Sequence, residues 1–183
     1  MEQSWRDSWQ APDGLSVETL LAALSKVYVL ADTSLQTATV VYADSHDWRL
    51  YEQGYLFYCQ GCCWTLYHRD QKEIPIEQEC PELHEICFAR DFHPGRLRRL
   101  PESFLGIRCL MSLTTVYLEK HEVCLYRADK TMAGRLVFET QQPVGGQRYH
   151  LICLSEVSGF SADAAHVRHI LAAAGVHRLF HRR

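Results

Sequence analysis

The sequence contains no apolar run approaching the roughly 20 residues that cross a bilayer, which excludes a helical membrane protein. Met1 to Pro12 lacks the basic-then-apolar order of a secretory leader, so the expected compartment is the cytoplasm. There is no Gly-rich phosphate loop, since Gly145-Gly146 reads as a hairpin turn. No Ser/His/Asp or Cys/His nucleophile system can be assembled, so no catalytic residue is assigned. Positive charge is not in excess either. The formal net charge is −3 with ten histidines uncounted, so specific nucleic-acid recognition is not expected. Internal repeats and low-complexity segments are absent.

What is present fits one globular domain over residues 1–176, followed by a basic tail over 177–183. The 183 residues are 47% hydrophobic and 22% charged, enough for one core and few for two. Without a secretory leader, the eight cysteines read as reduced, small hydrophobic residues. Cys109, Cys124 and Cys153 lie inside apolar strand patterns. Cys59-Gln60-Gly61-Cys62-Cys63 has zinc-knuckle spacing, and Cys80, His84 and Cys87 could complete a ligand set. The second half lacks a C-x-x-C, so a hairpin with incidental cysteines is preferred. Two basic segments, Arg96 to Arg99 and His177 to Arg183, read as a solvated helix face and a tail. A polyanion contact is the alternative.

Along the chain, Glu2 to Gln10 alternates, with Trp5 and Trp9 opposite Glu2, Ser4, Arg6 and Ser8. Ser16 caps a helix in which Val17, Leu20, Leu21 and Leu24 share one face. Lys26 to Leu30 is a short strand. The strand Thr37 to Tyr42 then enters Ala43-Asp44-Ser45-His46-Asp47-Trp48-Arg49-Leu50-Tyr51-Glu52-Gln53-Gly54. This is a helical turn or two, N-capped by Asp44 or Ser45 and closed by Gly54. Trp48 and Tyr51 are expected to anchor it inward. A hairpin over 55–60 and 63–68 turns at Gln60-Gly61.

A weak strand near 73–78 and an apolar segment at 86–89 follow. Pro101 is expected to split a helix at about 95–105 into two turns. Ile107 to Glu119 reads as a long strand or bent pair and Glu122 to Arg127 as another, with Lys120 in a turn. Gly134 to Gln141 and Gln147 to Val157 form a hairpin. Ser161 or Asp163 opens a last helix, stopped by Gly175. Its His166 and His169 read as exposed rather than metal-binding. Roughly eight to ten strands without βαβ spacing make the class α+β, mainly antiparallel β. Closure into a barrel with flanking helices would remove exposed edges.

Tyr42-x-Asp44-x-x-Asp47-x-x-Leu50-x-x-x-Gly54 after a short strand resembles the CYTH fold of triphosphate tunnel enzymes. Asp47-Trp48-Arg49-Leu50-Tyr51 is most similar to CYTH domains that precede CHAD domains in bacterial proteins. Phe88 to Phe92 with Pro94 to Leu97, and Leu125 to Thr131 with Gly134 to Glu139, resemble later segments of that family in order. The resemblance implies a closed or nearly closed barrel of about eight strands whose lumen is a tunnel. Basic side chains would grip a triphosphate there, and carboxylates would hold Mg²⁺ or Mn²⁺. It also implies a phosphate-rich anion, triphosphate or polyphosphate, as ligand and a CHAD-type helical domain as partner.

Against that pattern the chain has lost charge. The family's opening E-x-E-x-K corresponds to Glu2, Ser4 and Arg6. Its basic positions after Gly54 read Tyr58 and Gln60, and its T-x-K reads Thr65-Leu66-Tyr67. Its late E-x-E reads Glu139-Thr140-Gln141. The resemblance therefore leaves Arg6, Arg108 and Arg135 as anion-binding candidates, with Glu2 and Glu139 as metal candidates. Alternation allows Arg108 and Arg135 to face inward or outward. The expectation is a degenerate site with no cofactor and no efficient catalysis. The alternative is an Mg²⁺- or Mn²⁺-dependent triphosphatase.

Overall fold

The computed structural model describes residues 7–12, 14–32, 35–69, 74–80, 86–156 and 161–178. Its contacts divide the chain into two compact units. The first is built from the segments Met1–Thr37, Leu118–Gln142 and Gly146–Arg182; the second is built from Ala38–Tyr117 and Pro143–Gly145. Neither unit is continuous in sequence. Strand β8, Cys109–Tyr126, gives its first half to the second unit and its second half to the first.

The first unit holds β1 (Asp7–Gln10), α1 (Val17–Leu24), β2 (Val29–Asp32) and most of β9 (Met132–Pro143). It also holds β10 (Tyr149–Glu156), α4 (Ser161–Ala173) and β11 (His177–Arg178). Its strands run in the order β11-β1-β10-β9-β8, with β2 also on β8. Register puts Trp9 opposite Ile152 and Ile152 opposite Phe138, so one face of these strands is apolar. Leu20 and Leu24 of α1 and Val167 and Leu171 of α4 join that core. Ser16 caps α1 as expected, its hydroxyl accepting the Thr19 N–H. Asp163 ties the start of α4 down: Tyr28 donates to it at 3.2 Å, and Arg127 pairs with it. Burial and that carboxylate push the Tyr28 hydroxyl up to about 12.

The second unit holds most of β3 (Gln36–Asp44), α2 (Arg49–Glu52), β4 (Tyr55–Gln60), β5 (Cys63–His68) and β6 (Ile76–Glu79). β7 (Ile86–Phe88) leads through a 3₁₀ turn, Ala89–Asp91, into α3 (Arg96–Leu105). The strands run β3-β4-β5-β6, and β7 pairs with the first half of β8. The core centres on three rings: Phe57 stacks on Trp64 at 5.0 Å, and Phe92 meets both edge-on at 5.5 Å. Leu50, Leu97, Leu105 and Leu110 surround them.

The β4–β5 hairpin has the expected bounds, with Gly61 in the left-handed region at φ 63°. Several elements differ from expectation. α3 is one helix, because Pro101 lies on the buried stripe with Leu97 and Leu105. Its ring fills the core while only one helical N–H is lost. β8 runs without a break through Glu119 to Glu122, so Lys120 is a strand residue and not a turn residue. Glu119, Lys120, His121 and Glu122 are consecutive and none is buried, and ion pairs with neighbouring strands hold Lys120, His121 and Glu122 in the sheet. The described part of β1 begins at Asp7, and Trp5 lies outside the described residues. The hydrogen-bonded strand order runs from β11 to β6, and among the described residues no ladder joins those two strands. Closure of the sheet is therefore not part of the observed ladders. No described helix is long and apolar enough to cross a membrane.

Phe92 is 1% exposed, so Phe92→Ala is expected to cost about 3–5 kcal/mol by transfer and cavity terms. Urea unfolding followed by far-UV circular dichroism measures it.

Candidate functional site

The signature turn is built around Asp44. Its side chain is buried and accepts three backbone N–H groups, from Ser45 at 2.7 Å, Leu50 at 3.0 Å and Tyr51 at 2.9 Å. Ser45 Oγ accepts the Arg49 N–H at 3.2 Å. The N-cap position itself belongs to Trp48, which makes no side-chain cap; Asp44 and Ser45 supply the capping from further upstream. Asp44 thus acts as a structural acceptor. Asp47 Oδ2 accepts from Arg108 Nε at 2.8 Å and Arg49 Nε at 3.0 Å. Partial desolvation pushes the Asp47 carboxyl up. The hydrogen bonds from Arg49 and Ser45 and the charges of Arg108 and Arg49 outweigh it, and the carboxyl titrates well below its usual range. Arg108 is thereby committed to an ion pair.

The first unit carries a polar face opposite its core. Val123 and Leu125 of β8, Leu136 and Phe138 of β9, and Ile152 and Leu154 of β10 are core residues. Alternation therefore puts Lys120, Glu122, Arg135, Val137, Glu139, Gln141 and Cys153 on the other side. Two cross-strand ion pairs form there, Lys120–Glu139 at 3.3 Å and Arg135–Glu122 at 3.1 Å. Gln141 donates its amide to Glu139 Oε1, while Lys120 engages Oε2. Gln141, two residues on from Glu139, is thus an amide that donates to that carboxylate. Arg135 and Glu139, both anticipated, share this face. Lys120 and Glu122 were missed as members of it, although the parity of Val123 and Leu125 marks them. Burial, with Glu139 adding to it, pushes the Cys153 thiol up.

This donor set does not fit Mg²⁺ or Mn²⁺. Both Glu139 oxygens are engaged, Glu122 is paired, and no group of three or more His, Cys, Asp or Glu among the described residues could hold a metal ion. Glu2 and Arg6 lie outside the described residues, as does His84 of the zinc alternative.

The second unit has its own polar face, away from the three-ring core. Register puts Tyr42 opposite Tyr58, Tyr58 opposite Thr65, Leu56 opposite Tyr67 and Gln60 opposite Cys63. Thr65 in turn faces Glu77 on β6. Tyr58 and Gln60 share this face with Tyr67, so residues that can hydrogen-bond but carry no positive charge line it. Burial, reinforced by Glu77, pushes the Tyr58 hydroxyl up against a hydrogen bond with Thr65. The eight cysteines are all free thiols. Cys124 is buried, while Cys109 and Cys153 are half-buried. Burial, then the Asp91 charge, pushes Cys87 up to about 12. His166 and His169 are exposed. Trp48 and Tyr51 do not anchor α2: they are 51% and 45% exposed, and buried Leu50 takes that role.

No protein-family model matches the chain, and no curated protein matches it. Two of the solved structures that share its fold illustrate the likeness. One is an adenylyl cyclase candidate from Hippeastrum, described as having a dominant triphosphatase activity. It is 11% identical with a TM-score of 0.57, over 97% of this chain and 91% of the other. The second is an adenylate cyclase candidate from Bacillus halodurans, 14% identical with a TM-score of 0.56, over 96% and 92%.

Asp47→Asn is expected to destabilise the fold at neutral pH. Because the folded-state carboxyl titrates below its unfolded value, the Asp47 contribution is present above about pH 4. It is lost as pH falls towards the depressed value, so parent and variant converge when urea midpoints at pH 7 and near pH 2 are compared. Among the cysteines, exposed Cys62 is expected to react first with a thiol reagent and buried Cys87 only on denaturation; peptide mapping of the modified protein checks the order.

Proposed function

We propose that this chain is a CYTH-like domain that binds a phosphate-rich anion, a triphosphate or polyphosphate, without hydrolysing it efficiently. One observation carries the reading: among the described residues, each cation on the polar face of the first unit already has a carboxylate partner. Lys120 stands on Glu139 and Arg135 on Glu122. A triphosphate must compete with those carboxylates for the same cations, which weakens its capture. Hydrolysis in this chemistry needs a metal as well, and the engaged Glu139 carboxylate is a poor start for a metal site. The fold likeness to a protein with triphosphatase activity supports the ligand class. A tunnel, a helical CHAD-type partner and a cytoplasmic setting belong to the same proposal.

The triphosphatase activity of that neighbour also favours a second reading, an Mg²⁺- or Mn²⁺-dependent triphosphatase. Phosphate release from tripolyphosphate with either metal separates the two. The expected result is no release above the metal-only background; release that disappears in Glu139→Gln would overturn the first reading. Under the first reading Glu139→Gln frees Lys120 and tightens tripolyphosphate binding several-fold. Arg135→Ala weakens it about ten-fold or more, the scale of one charge-assisted contact. Titration calorimetry reads both.

A further inference from the structure

Trp48 and Tyr51 have no part in the anion-binding reading, yet their placement calls for a cause. Trp48 holds φ 56°, in the left-handed region that few side chains other than Asn and Asp enter. Its N–H bonds to the Ser45 carbonyl at 3.0 Å and its carbonyl accepts the Glu52 N–H at 2.9 Å, so the strained backbone is held firmly. Half the indole stays exposed, so burial does not compensate for the strain. Tyr51 meets the indole edge-on, with ring centroids 5.9 Å apart. The Arg69 guanidinium lies 3.8 Å over the Tyr51 ring and donates to the Tyr51 carbonyl at 2.8 Å. Arg49 and Arg108 stand on Asp47 close by, and Glu52 of α2 adds a second carboxylate to the turn.

We propose that Trp48, Tyr51 and Arg69 form a sequence-independent contact for single-stranded nucleic acid. A base stacks on the indole, and a neighbouring phosphate meets the Arg69 guanidinium. A half-exposed indole near a guanidinium suits that ligand, because every base has a face to stack and every linkage a charge to meet. Two rings are far smaller than the roughly 800 Å² each partner gives a stable protein interface. A small molecule would need enclosure. The cavity of about 480 Å³ beside α2 is lined by Asp47, Arg49, Glu52, Gln53, Ser103 and Phe104 and includes neither ring. The net charge of the chain does not forbid the contact, since charges beyond about 8 Å are screened at physiological salt. This inference stands apart from the anion-binding reading and uses none of its residues.

The test titrates the intact protein with an oligothymidylate of about a dozen nucleotides. Indole emission is expected to fall, because Trp48 is exposed whereas Trp9 and Trp64 are buried. Anisotropy of a labelled strand then compares variants. Trp48→Asn, whose residue suits the left-handed backbone, keeps the parent's thermal transition or raises it, and weakens binding about ten-fold or more. The slope of log affinity against log salt is about −0.7, as for one phosphate contact on a single strand. Unchanged emission, or undiminished binding by Trp48→Asn, overturns the proposal. So does thymidine monophosphate binding as tightly as the strand, or polyphosphate of matching charge displacing it equally well. Tripolyphosphate binding is measured separately, so either reading can fail without the other.

Discussion

The second unit depends on one buried carboxylate. α2 is four residues long, too short to persist by its own hydrogen bonds. Asp44, 4% exposed, collects three N–H groups that would otherwise be orphaned between β3 and β4. At the far end Gly54 has φ 84°, and a Cβ there would meet the His68 ring at 3.0 Å. Between these points the path from β3 to β4 has little freedom, so the pairing of Tyr42 with Tyr58 is set. A slip of one residue would exchange Phe57 of the core for a neighbour on the polar face. Asp44 therefore helps decide which side chains can meet a ligand, though it is itself unavailable to one.

Much of this was legible in the residues. The β4–β5 hairpin followed from apolar alternation around Gly61, and α1 from Ser16 and its leucine spacing. Parity after Gly54 put Tyr58 and Gln60 on one face before any register was known. The misses share a physical cause, which is that local signals lost to tertiary packing. Pro101 reads as a helix breaker but is held inside α3 by the core it fills. Lys120 reads as a turn residue between strands ending at Glu119 and opening at Glu122, yet its cross-strand partner Glu139 belongs to a continuous β8 pairing. Trp48 reads as an anchor because it is large, and only its backbone angle and exposure show otherwise. Ion pairing between β8 and β9 was illegible, since it depends on strand register.

The two polar faces reach electrical neutrality toward phosphate by different routes. On the first unit, charges remain and cancel pairwise across neighbouring strands. On the second, the face carries the hydroxyls of Tyr58 and Tyr67 and the amide of Gln60, with Glu77 nearby. Hydroxyls and amides can orient a phosphate oxygen but do not offset the cost of drying its charge. The fold is shared with proteins named for nucleotide chemistry, whereas the charge pattern belongs to this chain.

β6 ends the strand order with four residues, Ile76–Glu79, and every second one is glutamate. A strand so short, with Glu77 and Glu79 both exposed, is a poor template for another chain to extend. Repulsion between like charges would accompany each added copy. The carboxylates that make this end of the sheet unwelcoming to phosphate also protect the protein at high concentration, when β-rich chains are prone to aggregate edge to edge.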